Sequence, residues 1–277
     1  MAGGRPRGRL GGEEAGGTLD RMAYLRRIGY PGSTEPTLET LRGLHVAHLQ
    51  TVPFENLDIA LGRLLLLDPG ALFSKIVERR RGGYCYELNG LFALLLRELG
   101  FDVDLLSARV PNAAGEFGPD FDHMALRVRL EEPWLADVGF GELFLRPLRL
   151  GTPDGQPDDG KVFRITQDGD ARILGMGRRA EPEKPRYRFT LRPRELEDFG
   201  PMNVWQQTSP DSHFTKNSVC TRVTPEGRIT LSGSRLITTT DRERTERVLT
   251  ASERIAILRE SFGIVLEDPG DGRDRRP

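Results

Sequence analysis

Cysteine is scarce in this chain of 277 residues, and so is histidine: Cys85 and Cys220 are the only thiols, and His45, His48, His123 and His213 the only imidazoles. Two cysteines are too few for a disulfide framework, so a reduced, cytoplasmic compartment is the simplest expectation. No CxxC, HxxxH or other paired His/Cys spacing is present, and no metal site is expected. Long apolar runs are missing too. The longest, Leu91 to Leu96, covers six residues, where a membrane span needs about 20. Arg5, Arg7 and Arg9 are followed by no apolar stretch, unlike the start of a secretory signal. Nor does either sign of charge dominate. Forty basic and 41 acidic residues leave a formal net charge of −1, which argues against a general nucleic-acid binder or a polybasic membrane-surface protein.

What is present suffices for a folded core. Apolar residues make up 37%, and the 32 glycines raise the sum to about 49%, the globular average. Residues 1–17 are rich in glycine and have nothing to bury, so they read as a disordered leader, and 268–277 as a disordered tail. Between them the pattern changes once. Up to Gly100 it is helical. Asp20 can cap a helix carrying Met22, Leu25 and Ile28. Thr37 can cap another with Leu38, Leu41, Leu44 and His48 three or four apart, ended by Pro53. Asp68-Pro69 starts a third, and Gly82-Gly83 stops it. A fourth runs from about Tyr84 to Leu99, with Leu88, Leu91, Phe92, Leu95 and Leu99 as its buried face and Gly100 as a C′ glycine.

After Gly100 the period is two. Met124, Leu126, Val128 and Leu130 alternate with His123, Ala125, Arg127 and Arg129, as in a half-buried strand. Glu131-Glu132-Pro133 predicts a turn, with a return strand over Trp134 to Val138. Further strands are expected at Val162–Ile165, Ala171–Leu174, Tyr187–Leu191, Val219–Val223 and Arg228–Leu231, the last two joined at Pro225-Glu226-Gly227. A helix over Ala251 to Phe262 would place Ile255, Leu258 and Phe262 on one side. Helices, then strands, then a small mixed end predict an α+β class.

Cys85 has the surroundings of a nucleophile. Two glycines before it allow a close backbone approach. It opens a helix, whose N–H groups favour a thiolate, and Arg79, Arg80 and Arg81 add positive charge nearby. The competing reading is a small hydrophobe on a buried stripe. A thiolate needs a base. His45 and His48 share a helix and read as surface or packing residues; His213 lies in a loop. His123 opens a strand beside a Gly/Pro-rich loop and can reach a pocket. Asp137, in an apolar context, needs a partner and can orient an imidazole. Asp122 competes, but adjacent strand residues face opposite sides. A tight turn centred on Glu132 would pair Arg127 with Asp137, so His123 reaches it only through a bulge or a shifted register. Gly139-Phe140-Gly141 is a glycine turn suited to close approach by a phosphate or carbonyl, or simply a bulge.

Together these segments resemble the arylamine N-acetyltransferase family. Arg81-Gly82-Gly83-Tyr84-Cys85-Tyr86-Glu87-Leu88-Asn89-Gly90 is similar to its active-site cysteine motif, and Val52-Pro53-Phe54-Glu55-Asn56-Leu57-Asp58 to its helix-ending segment. Asp122-His123-Met124 and Ala136-Asp137-Val138-Gly139-Phe140-Gly141 resemble the segments that carry its histidine and aspartate. Asn203 to Asn217 resembles its third-domain entry. The resemblance spans about 20 to 266. It implies a helical domain (18–100), a β-barrel domain (101–203) and an α/β third domain (204–267). It implies a Cys85-His123-Asp137 triad, which favours Asp137 over Asp122, and acyl-donor contacts at Gly139, Phe140 and Gly141. It also implies an acceptor pocket walled by Phe54, Phe140 and Phe214.

The implied reaction is ping-pong: acetyl-CoA or another acyl-CoA acylates the cysteine, and an arylamine, hydrazine or arylhydroxylamine takes the acyl group. No metal, nucleic acid or membrane takes part, and a homodimer is left open. The chain departs from the family's pattern at Asp122, where many members have Thr, at Glu142, where Gly is common, and at 151–160, which lacks a frequent His-Gly segment. These departures motivate an alternative, an amide synthase of the same superfamily that closes a macrolactam from a carrier-bound acyl chain. A papain-like thiol hydrolase and a non-catalytic binding protein are more distant alternatives.

Overall fold

Local capping sets the first helices of the computed structural model, which describes residues 19–178, 182–240 and 242–266. The expected leader (1–17) and tail (268–277) lie outside the described residues. Asp20 accepts a hydrogen bond from the Ala23 N–H (2.9 Å) and starts α1 (Arg21–Ile28). Thr37 does the same for α2 (Leu38–Thr51) through Thr40. Past Pro53 the chain makes a two-residue strand, β1 (Phe54–Glu55), and a short helix, α3 (Leu57–Ala60). Asp68 caps α4 (Pro69–Phe73), which widens into a π turn over Ser74–Glu78. The next helix, α5 (Cys85–Glu98), is the centre of the first core. Leu88, Leu91, Phe92 and Leu95 on it have no exposed surface, each worth about 2 kcal/mol of burial.

An antiparallel sheet of eight strands follows, in the order β5-β4-β3-β2-β9-β8-β7-β6. In chain order the strands are β2 (Asp102–Arg109), β3 (His123–Arg129), β4 (Pro133–Ala136), β5 (Leu148–Arg149), β6 (Gln156–Asp158), β7 (Lys161–Asp168), β8 (Ala171–Arg178) and β9 (Lys184–Arg194). The sheet curls into an almost closed barrel. At the seam the Gln156 carboxamide takes the place of ladder bonds: its Oε1 accepts from the Arg149 N–H (2.7 Å) and its Nε2 donates to the Arg149 carbonyl (3.1 Å). Leu106, Ala125, Leu135, Phe163, Tyr187 and Phe189 belong to a second core, while Met124, Leu126 and Val128 join the first core with α5. The expectation of a half-buried β3 is therefore corrected. His123 and Ala125, on its supposed solvent face, are buried, because curling gives the sheet a second interior.

After a 3₁₀ turn (Leu196–Phe199) come α6 (Gly200–Thr208) and α7 (His213–Lys216). A second sheet is built from β10 (Val219–Thr224), β11 (Gly227–Ser232), β12 (Arg235–Thr240) and β13 (Arg244–Val248). The two residues of β1 pair with β10, Phe54 against Thr221 and Glu55 against Cys220, so the early chain is woven into the late sheet. The last helix, α8 (Ala251–Phe262), buries Leu258 and Phe262 but leaves Ile255 63% exposed, correcting the expected three-residue face. Six strands have no counterpart in the expectations: the two- and three-residue β1, β5 and β6, and the longer β2, β12 and β13. β2 is buried over six consecutive residues and shows little alternation. β12 and β13 are largely polar, with β13 exposed throughout. Among the described residues no helix is long and apolar enough to cross a membrane.

Candidate active site

The start of α5 is fixed by close packing and buried charge. The Glu55 N–H donates to the Gly83 carbonyl (2.8 Å), and a side chain at 82 would drive into the Pro53 carbonyl, so glycine is required there. The Tyr84 N–H donates to Glu87 Oε2 (3.1 Å), and Lys75 Nζ lies 2.8 Å from Glu87 Oε1 and 3.0 Å from Asp58 Oδ2. Arg81 reaches Glu55 (2.8 Å) and Asp58 (3.1 Å). The expectation that the Arg79–Arg81 run charges the thiol is thus corrected. Arg81 is neutralised by two carboxylates, and Arg79 and Arg80 point into solvent.

Cys85 is 3% exposed. Burial pushes its thiol well above the usual range; backbone hydrogen bonds from Met124 and Tyr86 pull it down, and the nearby Asp122 and Asp137 carboxylates push it up. The helix terminus therefore does not by itself deliver a thiolate, and ionisation needs a base beside the sulfur. The Met124 contact places that sulfur against the residue next to His123.

His123 and Asp137 form a buried pair, Nε2 to Oδ2 at 2.8 Å. The β3–β4 register pairs Leu126 with Ala136 and Arg129 with Pro133. Continued by one residue, it sets Asp137 beside Ala125. His123 is then the diagonal neighbour on the same face, within reach of a long side chain, and no bulge between these strands is needed. The expected centre of the turn was wrong; the pairing is displaced by two residues, which preserves the face. Burial would raise the Asp137 carboxyl, but His123, Asn89 and the Gly139 N–H together hold it below its usual range.

Asn89 lies one turn after Cys85 and ties the elements together. Its Nδ2 donates to the Met124 carbonyl (2.6 Å) and Asp137 Oδ1 (2.9 Å), and its Oδ1 accepts from the Val138 N–H (2.9 Å). Gly139 packs so tightly on α5 that a Cβ would lie 2.8 Å from Cys85 Cα and 2.6 Å from Asn89 Nδ2.

Aromatic rings border the pair. Phe140 meets the His123 ring edge-on at 5.1 Å, and Tyr187 lies 5.2 Å from it. Phe214 approaches Phe54 at 6.2 Å and Tyr84 at 5.4 Å. Gly141 connects the two groups: its α-carbon faces the Phe54 ring, and its φ is +89°. Asp122 makes no hydrogen bond to the His123 ring; it accepts from Gln206 Nε2 (2.8 Å), and Gln206 Oε1 accepts from Ser212 Oγ (2.8 Å). His213 is exposed on α7. A cavity of about 280 Å³ lies at the start of β4, lined among others by Arg42, Trp134, Arg146, Arg149 and Asp158; Cys85, His123 and Asp137 do not line it.

Residues 37–270 match the model of an N-acetyltransferase family. The arylamine N-acetyltransferase of Escherichia coli K12 is 35% identical over 254 residues, covering 90% of each chain. The chain belongs to the arylamine N-acetyltransferase family. It is therefore an enzyme, an acetyltransferase. Solved structures of the family share its fold. The Mycobacterium marinum arylamine N-acetyltransferase in complex with CoA is 35% identical, with a TM-score of 0.82 and 88% of this chain and 93% of that one covered. The Bacillus cereus arylamine N-acetyltransferase, whose structure reveals a unique Cys-His-Glu catalytic triad, is 28% identical, with a TM-score of 0.82 and coverage of 89% and 98%.

Asn89 and Tyr187 touch this arrangement without having been singled out in the sequence, and His45, read there as a surface or packing residue, is buried against the same loop. Asn89 could have been found from its spacing, four residues after Cys85 on a helix. Tyr187 carries no local signal beyond strand periodicity.

Proposed function

We propose that the enzyme moves an acetyl or short acyl group from acyl-CoA, through a thioester on Cys85, to an arylamine, hydrazine or arylhydroxylamine. Asp137 accepts the Nε2 hydrogen of His123, which leaves the lone pair of the neutral ring on Nδ1. That nitrogen takes the Cys85 proton as the sulfur attacks the acyl carbonyl, and the CoA thiolate leaves with the proton returned to it. The free amine then attacks the thioester while His123 removes its proton. An arylamine is a weak base, neutral near pH 7, so its nitrogen is already nucleophilic. Phe54, Phe140 and Phe214 offer flat apolar walls to an aryl group.

The donor's phosphates fit the surroundings of the Gly139-Phe140-Gly141 turn. Arg186 lies over the Phe140 ring at 5.2 Å, Arg228 donates to the Gly141 carbonyl, and Lys161 lies 3.6 Å from Glu142. The relative with CoA bound supports the same donor. The same reading divides the chain at 18–100, 101–203 and 204–267; the first apolar cluster crosses the first of these bounds, taking in Met124, Leu126 and Val128. The reading also places the enzyme in a reduced cytoplasm, in keeping with two free thiols.

The buried His123–Asp137 pair beside the helix that carries Cys85 is the observation that supports the reading most. Intact-mass measurement after exposure to acetyl-CoA should show one acetyl group on the wild-type chain and none on Cys85→Ser. Adding a hydrazine should remove the acetyl group and yield the acetylated hydrazine. An unmodified wild-type chain, or an acetylated Cys85→Ser, contradicts the proposal.

A further inference from the structure

The loop from Asp137 to Leu145 carries the carboxylate of the buried pair and the glycine turn, and one side chain from outside it touches both of its ends. His45, on α2, is fully buried. Its Nε2 lies 3.0 Å from the Asp137 backbone nitrogen, and its Nδ1 lies 2.8 Å from the Leu145 carbonyl oxygen. A backbone N–H can only donate and a carbonyl can only accept. The ring must therefore be neutral, with its hydrogen on Nδ1 and its lone pair on Nε2. Phe144 stacks on the ring at 5.6 Å and 17°, and Phe92 meets it edge-on at 6.0 Å. Orientation and tautomer are thus both fixed. The charged and titratable groups that act on it are Asp137, Asp158 and His48.

We infer that His45 is a positioning residue for the acyl transfer: its neutral imidazole clamps both ends of the 137–145 loop and so sets the Asp137 carboxylate against His123. The two bonds span chain separations of 92 and 100 residues and add to the contacts that Asn89 and the Gly139 N–H make with the Asp137 carboxylate. Burial holds the His45 pKa at about 4, which keeps the clamp in its working form at neutral pH. Without the Nε2 acceptor, the Asp137 N–H loses its partner, and the carboxylate, then held only by Asn89 and the Gly139 N–H, sits less firmly against Nε2 of His123. His123 then becomes a weaker base, and Cys85 ionises at higher pH. The inference rests on the reading of Cys85 and His123 as thiol and base.

The rate of Cys85 alkylation by iodoacetamide against pH, in the full chain, tests both and separates them. Three variants divide the clamp. His45→Leu removes both bonds, His45→Asn retains a donor near Nδ1, and His45→Gln retains an acceptor near Nε2. His45→Leu and His45→Asn should shift the profile upward by about one pH unit, slowing alkylation about tenfold at pH 7. His45→Gln should stay within about threefold of wild type. Acetyl transfer should follow the same order, with the acceptor KM unchanged. A His45→Leu variant that melts lower yet keeps the wild-type profile makes His45 a core residue only and overturns the inference. Where His45→Leu does not fold, equal profiles for His45→Gln and His45→Asn overturn it. If wild-type Cys85 alkylates like an ordinary exposed or buried thiol, the reading of the site fails, and the inference fails with it.

Discussion

Each polar atom of the Asn89 carboxamide has a partner, and the partners belong to different elements: the Met124 carbonyl on β3, the Asp137 carboxylate after β4, and the Val138 N–H. Replacing Asn89 by Ala takes a buried partner from the Met124 carbonyl and the Val138 N–H, and leaves Asp137 Oδ1 with the Gly139 N–H alone. A cost of about 3 kcal/mol is expected, together with a large loss of acetyl transfer. Urea unfolding and steady-state kinetics on that variant measure the two effects, and a loss of stability with full activity would mean that Asn89 only fills space. The residues proposed to carry the reacting atoms were easy to single out in the sequence because their types are rare here; with four histidines and two cysteines there was little to search. For Asn89 the sequence offered only its spacing one turn after Cys85, since an amide has no chemistry of its own and its value lies in what surrounds it.

Where α5 meets the loop after β4, the contact is closer than ordinary packing. Gly139 has no room for a methyl group, because Cys85 Cα and its carbonyl oxygen would lie 2.8 and 2.9 Å from it. Those are backbone atoms and cannot rotate away. Gly139→Ala should therefore push the loop off the helix, costing about 2 kcal/mol and roughly 6 °C in melting temperature. Widening the gap between Cys85 and the His123–Asp137 pair should lower kcat more than it changes the acceptor KM. A variant with wild-type kcat would show that the loop can yield without moving the pair. Helix ends were readable from Asp20, Thr37 and Asp68, since a cap acts over three residues. The register of β3 against β4 differs by two residues from that of a turn centred on Glu132, because Arg129 pairs with Pro133 and the turn centres on Glu131.

Across the whole molecule, burial of ionisable groups predicts the response to acid. His45 titrates at about 4 in the folded state because of burial, and His48 falls well below its usual value for the same reason. In the unfolded chain both titrate near 6.5. Their folded pKa values are depressed, so the stability they support is complete above pH 6.5 and drains away as the pH falls towards the folded values. His45 alone should account for about 3 kcal/mol between pH 6.5 and 4. Asp137, also depressed, adds to the loss at lower pH, as the pH passes below the usual carboxylate range. Urea midpoints at pH 7, 5.5 and 4.5 should fall steeply for the wild-type chain and less steeply for His45→Gln. Parallel slopes would remove His45 from the account.

Period, caps and residue types established the α+β class, most helix boundaries, the β10–β11 hairpin and the short roster of reactive side chains. All of these rest on interactions spanning a few residues, so a linear pattern records them. The arrest of Arg81 by Glu55 and Asp58, the sealing of Cys85, the second interior behind β3 and the reach of His45 to both ends of the 137–145 loop emerge on folding. They join residues tens of positions apart in the chain, up to 100 for His45 and Leu145. Contacts that distant are decided by how whole elements pack, and no stretch of sequence carries their signature.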